Sequence, residues 1–321
     1  MNSALAAWLA AVSGSDEEFV EHVWPLVLRR EPEPDARGRA LAKLRMGTLS
    51  RATLLRELVS SEEFERVALL DDALALAAGA RRARARPRGL RGPAGTDERV
   101  IEIPWCLARY CGERRVLDVG YAFAEPSYLA GLTALGAAEL VGADLAGAQV
   151  PGLRSVVADA RSLPFDDNSF ELEFCISTLE HVGRDNEVYG GGAEQDEQGA
   201  GRALRELHRA LVARGRLLVS VPCGEEQDLG WQVQRPPADW LAVFEAAGFL
   251  VFEDELYELG REGWRATSRF EAAGVRYGER GPGASAVLCA ELRPSGLAER
   301  VRLAVRDLRH RDEPRRSTRG D

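Results

Sequence analysis

The chain has 321 residues, 45% of them hydrophobic, and a formal net charge of −9. This length suits one large domain with a smaller one, and the hydrophobic content excludes a disordered or fibrous protein. The negative charge disfavours a general nucleic-acid-binding protein, since such proteins are usually basic.

The cysteines and the apolar runs indicate the cellular compartment in which the protein is expected. Five scattered cysteines, without a C-x-x-C pair, favour reduced thiols over a disulfide framework or a zinc site, and no metal is expected. No apolar run reaches the ~20 residues that span a bilayer. The run at 4–12 lacks a basic leader and is typical of a helix rather than a signal peptide. We therefore expect a cytoplasmic protein without a membrane span.

Residues 1–78 are predicted to form a small helical module. Ser15 and Glu18 have the spacing of a capping box, Ser50 can cap a third helix, and Ser60 or Ser61 can cap a fourth. Through 28–35, 47–50 and 60–64, this stretch resembles short helical repeats of unknown function attached to bacterial surface and glycan-processing proteins. We expect it to pack or to bind another protein.

Residues 79–96 are rich in arginine, glycine and proline, which predicts a linker. A basic run of this kind also suits contact with a phosphate or a membrane surface, but a solvated linker is the favoured interpretation.

The first strong strand signal follows the linker. Residues 116–120, Val-Leu-Asp-Val-Gly, predict a buried parallel strand that turns over a loop of small residues, with Ala122 and Ala124, into a helix. The backbone amides of such a loop and the N-terminus of the helix form a cradle for a polar ligand.

Three further apolar runs end in polar residues. The second run ends at Asp144, roughly 20 residues past the loop, where an acid can accept hydrogen bonds from ribose hydroxyls. The third ends at Asp159 and Ala160, and the fourth, 174–178, leads into Leu-Glu-His-Val at 179–182. Glu171 and Glu173 precede the fourth run, so we expect that strand to begin near Phe174 or Glu173 to be exposed or paired.

These blocks together resemble class I S-adenosylmethionine-dependent methyltransferases. The matching segments are 116–120, 141–144, 158–160, 163–165, 179–182 and 215–219. The resemblance implies a Rossmann-like α/β fold, with a seven-stranded, doubly wound, mostly parallel sheet whose last strand is antiparallel. This domain is expected at 97–295, after the small all-α domain and before a charged helix and tail at 296–321.

The resemblance also implies a cofactor, S-adenosylmethionine. The residues expected to bind it are Asp118, Gly120, Ala122, Asp144, Asp159 and Ala160. Asp118 and Gly120 would hold its amino-acid end and Asp144 its ribose, while Asp159 and the backbone of Ala160 would face the adenine. The alternative for each aspartate is a turn or a helix cap.

Glu180 and His181 are the candidate catalytic residues. They follow the fourth strand at the carboxyl edge, where open α/β sheets bind ligands, and a histidine there can take a proton at neutral pH. Alternatively, they only shape the pocket. The candidate acceptor-binding residues are Asp185, Asn186, Tyr189 and Trp231. Segments 120–126 and 177–189 are similar to a bacterial branch associated with glycan biosynthesis, which implies a small-molecule or carbohydrate acceptor and favours a sugar hydroxyl.

Two other functions remain open from the sequence. A catalytically idle binding scaffold is favoured by the alanines at 122 and 124, which replace glycines of the family. A nucleotide- or NAD-dependent enzyme would share the first strand, the loop and the ribose acid, but the blocks from Asp159 to His181 disfavour it.

Overall fold

The structure is a computed structural model that describes residues 14–189, 192, 195–281 and 283–296, without the side chain of Val188. The helix predicted at 4–12 lies outside these residues, and so does the C-terminal helix and tail from 297 onward. Within the described ranges, no helix is both long and apolar enough to cross a membrane.

Four helices form the N-terminal region from residue 14 onward; the predicted caps at Ser15 and Ser50 are confirmed, and Ser61 rather than Ser60 caps the fourth helix. Ser15 forms a capping box with Glu18, and the hydroxyls of Ser50 and Ser61 each accept a hydrogen bond from the backbone of the next first turn. The helices are α1 (Asp16–Leu28), α2 (Pro34–Arg45), α3 (Arg51–Val59) and α4 (Glu62–Arg82). Phe19, Val23, Trp24 and Leu54 belong to the apolar cluster that these helices share.

Helix α4 connects this region to the sheet domain. It packs on α5 (Arg99–Leu107) and α6 (Pro126–Thr133), and its Leu70 is buried in the same apolar cluster as Ile101. The helix continues through Arg82, so the irregular connection begins after the predicted residue 79.

Most residues of the connection are exposed, as expected for a linker, but two of its segments contact the domain. Arg86 pairs with the buried carboxylates of Glu291 (2.7 Å) and Glu253 (3.3 Å), and Gly92 forms a β-bridge with Trp264. Arg86 and Arg88, two of the arginines that predicted a solvated linker, therefore pair with acids at the sheet. The division into a helical module, a linker and a domain stays a prediction.

The domain continues with ten strands and three more labelled helices. The strands are β1 (Arg115–Val119), β2 (Glu139–Asp144), β3 (Arg154–Val157), β4 (Phe170–Ile176), β5 (Leu211–Pro222), β6 (Gln227–Asp228), β7 (Val233–Gln234), β8 (Phe249–Gly260), β9 (Gly263–Thr267) and β10 (Ala286–Pro294). The helices are α7 (Gly199–Ala210), α8 (Pro237–Ala246) and α9 (Arg269–Ala272), with 3₁₀ turns at Leu179–His181 and Glu187–Tyr189.

The main sheet has the order β3-β2-β1-β4-β5-β10-β8-β9, and β6 pairs with β7 separately. Strands β1 to β5 are parallel, whereas β10 lies antiparallel between β5 and β8. The predicted mostly parallel α/β fold is confirmed, but the sheet has eight strands rather than seven. The additional strand, β9, forms a hairpin with β8 across Gly260 and Gly263.

Helices cover both faces of the sheet, as the predicted doubly wound fold requires. On one face, Leu117 and Leu217 belong to an apolar cluster with Leu207 of α7 and Trp240 of α8. The cluster on the other face includes residues of α4, α5 and α6, among them Leu70, Trp105 and Leu132. Because helices cover both faces, a ligand can reach the parallel strands only at their ends, and open α/β sheets bind ligands at the carboxyl ends.

Glu173 corrects the expectation about the fourth strand. Strand β4 begins at Phe170, and Glu173 lies beside Leu117 and Leu217 of the neighbouring strands, fully buried. Neither carboxylate oxygen has a hydrogen-bond partner among the described residues. Burial raises the pKa of Glu173 well above its usual range, opposed only by the attraction of Arg209. A protonated carboxyl group is therefore tolerated where a charged one would not be.

We predict that Glu173→Gln changes the pH dependence of stability. The Glu173 pKa is raised in the folded protein, so its stabilising contribution is complete below the ordinary carboxyl pKa and is lost as pH rises towards the raised value. The free energy of unfolding is measured by urea titration. The difference between Glu173→Gln and the wild type should shift in favour of the variant by about 1–3 kcal/mol as the pH rises from about 5 to about 8. Glu171→Gln, at the partly exposed start of the same strand, controls for the loss of one carboxylate. Parallel pH profiles for wild type and Glu173→Gln would contradict the prediction.

Candidate active site

A cleft of about 320 Å³ lies at the carboxyl ends of the parallel strands. Asp159, Asp144 and Gly120 line it in the order β3, β2, β1, and Glu180 follows beyond β4. The side chains that the sequence placed at successive strand ends thus meet at one edge of the sheet.

The turn after β1 depends on a close approach to the end of β4. Gly120 has a φ of 92°, and a Cβ atom there would overlap the side chain of Thr178. The Thr178 hydroxyl is held by the carbonyls of Val119 (3.2 Å) and Ile176 (2.9 Å). Glycine is therefore required at 120 both for its backbone conformation and for space.

The residues that follow Gly120, including the alanines that replace the family's glycines, do not fill the cleft. Tyr121 is fully buried away from it, and its hydroxyl hydrogen-bonds to Ser155 and to the carbonyl of Ala148. Phe123 and Ala124 line the cleft, but Ala122 does not. The backbone N–H of Ala122 instead donates to Oδ2 of Asp144 (2.9 Å), and that of Ala146 donates to Oδ1 (3.0 Å).

Asp118 is buried behind the turn. Only 3% of its surface is exposed, and it accepts a hydrogen bond from the Tyr128 hydroxyl. Burial raises the pKa of Asp118 to about 7, with a smaller contribution from Asp144, although the Tyr128 hydrogen bond opposes this. Asp118 therefore changes its charge near neutral pH.

Asp159 and Ala160 line the cleft beyond β3. The Asp159 carboxylate accepts hydrogen bonds from the backbone (2.8 Å) and the guanidinium (2.7 Å) of Arg161. Burial acts against ionisation, but these contacts with Arg161 lower the pKa of Asp159.

His181 lies in the 3₁₀ turn after β4 with its tautomer set by one contact. Its Nδ1 is 3.0 Å from the carbonyl oxygen of Trp231, which can only accept, so Nδ1 carries the proton and Nε2 has the free lone pair. Burial lowers the pKa of His181 to about 4. The imidazole is thus neutral at pH 7.

Glu180 lies beside the imidazole. Its Oε1 is 4.0 Å from Nε2 of His181, and only 2% of its side chain is exposed. Its Oε2 is buried without a hydrogen-bond partner among the described residues. Burial raises the pKa of Glu180 well above its usual range.

Five rings, which we call the aromatic wall, line the cleft around His181. Adjacent centroids lie 5.3 Å apart from Phe123 to Tyr189, from Tyr189 to His181 and from His181 to Trp231. Trp231 lies 6.0 Å from Tyr277. Contacts at these distances are typical of stabilising aromatic pairs.

The structure separates the remaining predicted acceptor residues. Asn186 lines the cleft, with its amide held by the carbonyls of His181 and Arg184 (both 3.0 Å). Asp185 does not line the cleft, and its carboxylate accepts the backbone N–H of Glu187 (3.1 Å) as a turn residue. In this structure the Asp185 carboxylate stabilises the turn.

Sequence reasoning missed the polar residues of α5. Glu98, Arg99 and Glu102 line the cleft, and both Ser177 (2.7 Å) and Ser220 (2.8 Å) donate to Oε2 of Glu102. A signal was present, since Glu98 and Glu102 are four residues apart and share one face of a helix that is otherwise buried and apolar.

Residues 117–219 match the family model described as a methyltransferase domain. This segment is a methyltransferase domain. The match extends from β1 to β5 and includes the strand ends that form the cleft. It confirms the predictions of a class I S-adenosylmethionine-dependent methyltransferase and of S-adenosylmethionine as its cofactor.

Several solved structures are similar to the methyltransferase. The [4+2]-cyclase SpnF is 19% identical over 71% of this chain and 93% of its own, with a TM-score of 0.41. The 1,6-didemethyltoxoflavin-N1-methyltransferase of Burkholderia thailandensis, solved with S-adenosylhomocysteine, is 15% identical over 83% of this chain and 94% of its own (TM-score 0.41).

A third similar structure is the complex of the Trm112 methyltransferase activator with a methyltransferase from Haloferax volcanii, at 16% identity over 70% of this chain and 97% of that one (TM-score 0.41). At these values the likenesses carry no argument about activity. Among curated proteins, none matches the sequence.

We predict that Gly120→Ala closes the cofactor side of the methyltransferase cleft. The added methyl group would displace the turn or Thr178, so titration calorimetry should show S-adenosylhomocysteine affinity lowered at least about tenfold and stability lowered by about 1–3 kcal/mol. Gly112→Ala is the matched control, because Gly112 has a φ of 97° and no atom near the added Cβ. Equal effects of the two substitutions would show that the Thr178 contact is unimportant.

Proposed function

We propose that the methyltransferase acts on a hydroxyl group of a sugar and that His181 takes up the proton of that hydroxyl. The observation that carries this proposal is the hydrogen bond from Nδ1 of His181 to the Trp231 carbonyl (3.0 Å). It leaves Nε2 as a free base in the cleft, on the acceptor side of the residues assigned to the cofactor.

The cleft suits the assigned cofactor. The glycine turn lets a ligand approach the backbone, and a Cβ atom at 120 would occupy the space that the turn needs. We assign the amino-acid end of the cofactor to Gly120 and Asp118, and its ribose to Asp144. Arg161 already occupies the carboxylate of Asp159, so we assign the adenine to the backbone of Asp159 and Ala160. When bound, S-adenosylmethionine supplies an activated methyl group on a sulfonium.

His181 and Glu180 act together in this proposal. A neutral imidazole removes the hydroxyl proton through Nε2, and the oxygen becomes a better nucleophile. The imidazolium that forms lies 4.0 Å from Glu180 Oε1, and its charge favours ionisation of that carboxyl. Glu180 is thus the group that stabilises the protonated base.

The aromatic wall supports a sugar as acceptor. Rings with both an apolar face and polar edges suit a ligand that has C–H groups and hydroxyls side by side. The acids around the wall supply hydrogen-bond acceptors for those hydroxyls. Asn186, Tyr189 and Trp231 are the residues that we assign to acceptor binding, whereas Asp185 shapes the turn beneath them.

Titration calorimetry with S-adenosylmethionine, S-adenosylhomocysteine and NAD tests the cofactor assignments. We expect the first two to bind with a Kd of about micromolar order and NAD not to bind. In Asp144→Ala the affinity should fall about tenfold, because the substitution removes the ribose acceptor and the anchor of the turn. Binding of NAD alone would indicate a nicotinamide enzyme, and silence from all three ligands a binding scaffold.

Methyl transfer from labelled S-adenosylmethionine to a panel of sugars tests the base. We expect His181→Gln to lower turnover by about 10²–10⁴-fold, the usual contribution of a general base, while calorimetry shows cofactor affinity nearly unchanged. His22→Gln, in α1 and remote from the cleft, is the control. A normal rate in His181→Gln would exclude His181 as the base.

A further inference from the structure

Three carboxyl groups gather on the acceptor side of the cleft. Glu98 and Glu102 reach it from α5, and Glu180 reaches it from the turn after β4. All three are buried, and Glu98 and Glu102 both raise the pKa of Glu180 through their charge, after the larger effect of burial. Such a cluster is costly unless protons or a bound cation offset the charge.

The protein supplies little positive charge to this cluster. Arg99 is the arginine lining this side among the described residues, and it is shared with acids outside the cluster. Its guanidinium hydrogen-bonds to Asp97 (3.1 Å) and lies 3.6 Å from Glu125, but 4.0 Å from Glu98.

The partners of the three carboxyls differ. Oε2 of Glu102 accepts from two serine hydroxyls, and Oε2 of Glu98 accepts the backbone N–H of Ala284 (3.0 Å). Within the part of the chain that the structure describes, Oε2 of Glu180 accepts no hydrogen bond, although Glu180 lines the cleft and is only 2% exposed. A buried, unsatisfied acceptor that faces a cleft indicates a ligand with a hydrogen-bond donor.

The aromatic wall adds a second attraction for a cation. Tyr277, Trp231 and Tyr189 line the cleft together with Glu180. Burial, and next the charge of Glu98, raises the pKa of Tyr277 to about 12. Aromatic faces attract organic cations, and the attraction is larger where the site is desolvated.

We propose that the acceptor carries a protonated amino group, which binds between Glu98, Glu102 and Glu180 beside the aromatic wall. This inference rests on the proposed function and names its substrate class, an amino sugar. The ammonium donates to Oε2 of Glu180, which has no hydrogen-bond partner among the described residues.

The same contacts decide which atom is methylated. An amine attacks only after losing its proton, and nearby carboxylates stabilise the protonated form. The amino group therefore anchors the sugar, and a hydroxyl attacks the methyl carbon, the bond from that carbon to sulfur breaks, and the hydroxyl proton passes to Nε2 of His181. Because Glu180 Oε1 lies 4.0 Å from that nitrogen, the amino and hydroxyl groups should be on adjacent carbons.

Binding to the full chain saturated with S-adenosylhomocysteine tests the inference. The probes are methyl glycosides of 2-, 3- and 4-amino-deoxyglucose, each compared with its N-acetyl form and with methyl glucoside. Calorimetry should show at least one amino sugar binding about tenfold tighter than both neutral counterparts, because charge-assisted hydrogen bonds are stronger than neutral ones. The methylated product, by mass spectrometry, should carry the methyl group on oxygen.

Isosteric variants identify the residues. Glu180→Gln and Glu98→Gln should each reduce the preference for the amine to about threefold or less, without changing S-adenosylhomocysteine affinity. Glu226→Gln, an exposed carboxylate in the loop after β5, makes the same charge change outside the cleft and should keep the preference. Two variants from opposite walls keep the test valid if one fails to fold.

The failures are distinguishable. No binding of S-adenosylhomocysteine to the wild type would overturn the proposed function before a sugar is added. Equal binding of amino and neutral sugars, or no sugar binding, would overturn this inference while the cofactor assignment stands. Loss of S-adenosylhomocysteine affinity in Glu180→Gln would assign the carboxyl to the cofactor, and thermal stabilisation by Mg²⁺ alone would make the cluster a metal site. Either result would also overturn it.

Discussion

The contact between the backbone at Gly120 and the side chain of Thr178 determines the geometry of the cleft. Thr178 is fixed by carbonyls from the ends of both β1 and β4, so the glycine turn after β1 and the turn that bears His181 are placed by the same side chain. Two groups that must react need this relative placement before they meet, since orientation accounts for much of the rate that an enzyme provides. The remaining polar contacts, such as those of Asp144 with the turn, refine a position that this contact sets.

The second constraint is that the cleft collects acids in a poorly solvated place. Burial raises the pKa of both Asp118 and Glu98 to about 7, and it also raises the pKa of Glu102 and Glu180. The charge of the cleft therefore depends on what is bound in it. Without a cation, protonation of the carboxyls limits the repulsion between them. A bound cation favours their ionised forms, and the ionised carboxyls in turn stabilise the cation.

The parts of the fold that follow from local sequence were predictable. Short apolar runs that end in glycine or aspartate identified β1 to β4 and brought Gly120, Asp144 and Asp159 to one edge, because the ends of parallel strands coincide. The helix caps at Ser15, Ser50 and Ser61 were equally local. The burial of Glu173 without a partner, the acids at the start of α5 and the hairpin strand β9 were not predicted, since each depends on what packs against it in three dimensions. Asp185 shows the opposite error, in which a polar residue near the right motif serves only its own turn.

The arginines that precede the family-matched segment determine how short a stable fragment of this protein can be. Glu291 is buried against Arg86 as well as Arg216 and Arg293, and Glu253 against Arg86, Arg88 and the fully buried Arg109. Arg86 and Arg88 precede the segment that matches the methyltransferase family. Removing them would leave buried carboxylates short of counter-charge, which is more costly than losing the whole ion pair. A fragment that begins after Arg88 should therefore be less stable than one that begins before Arg86, although both contain the whole segment that matches the family.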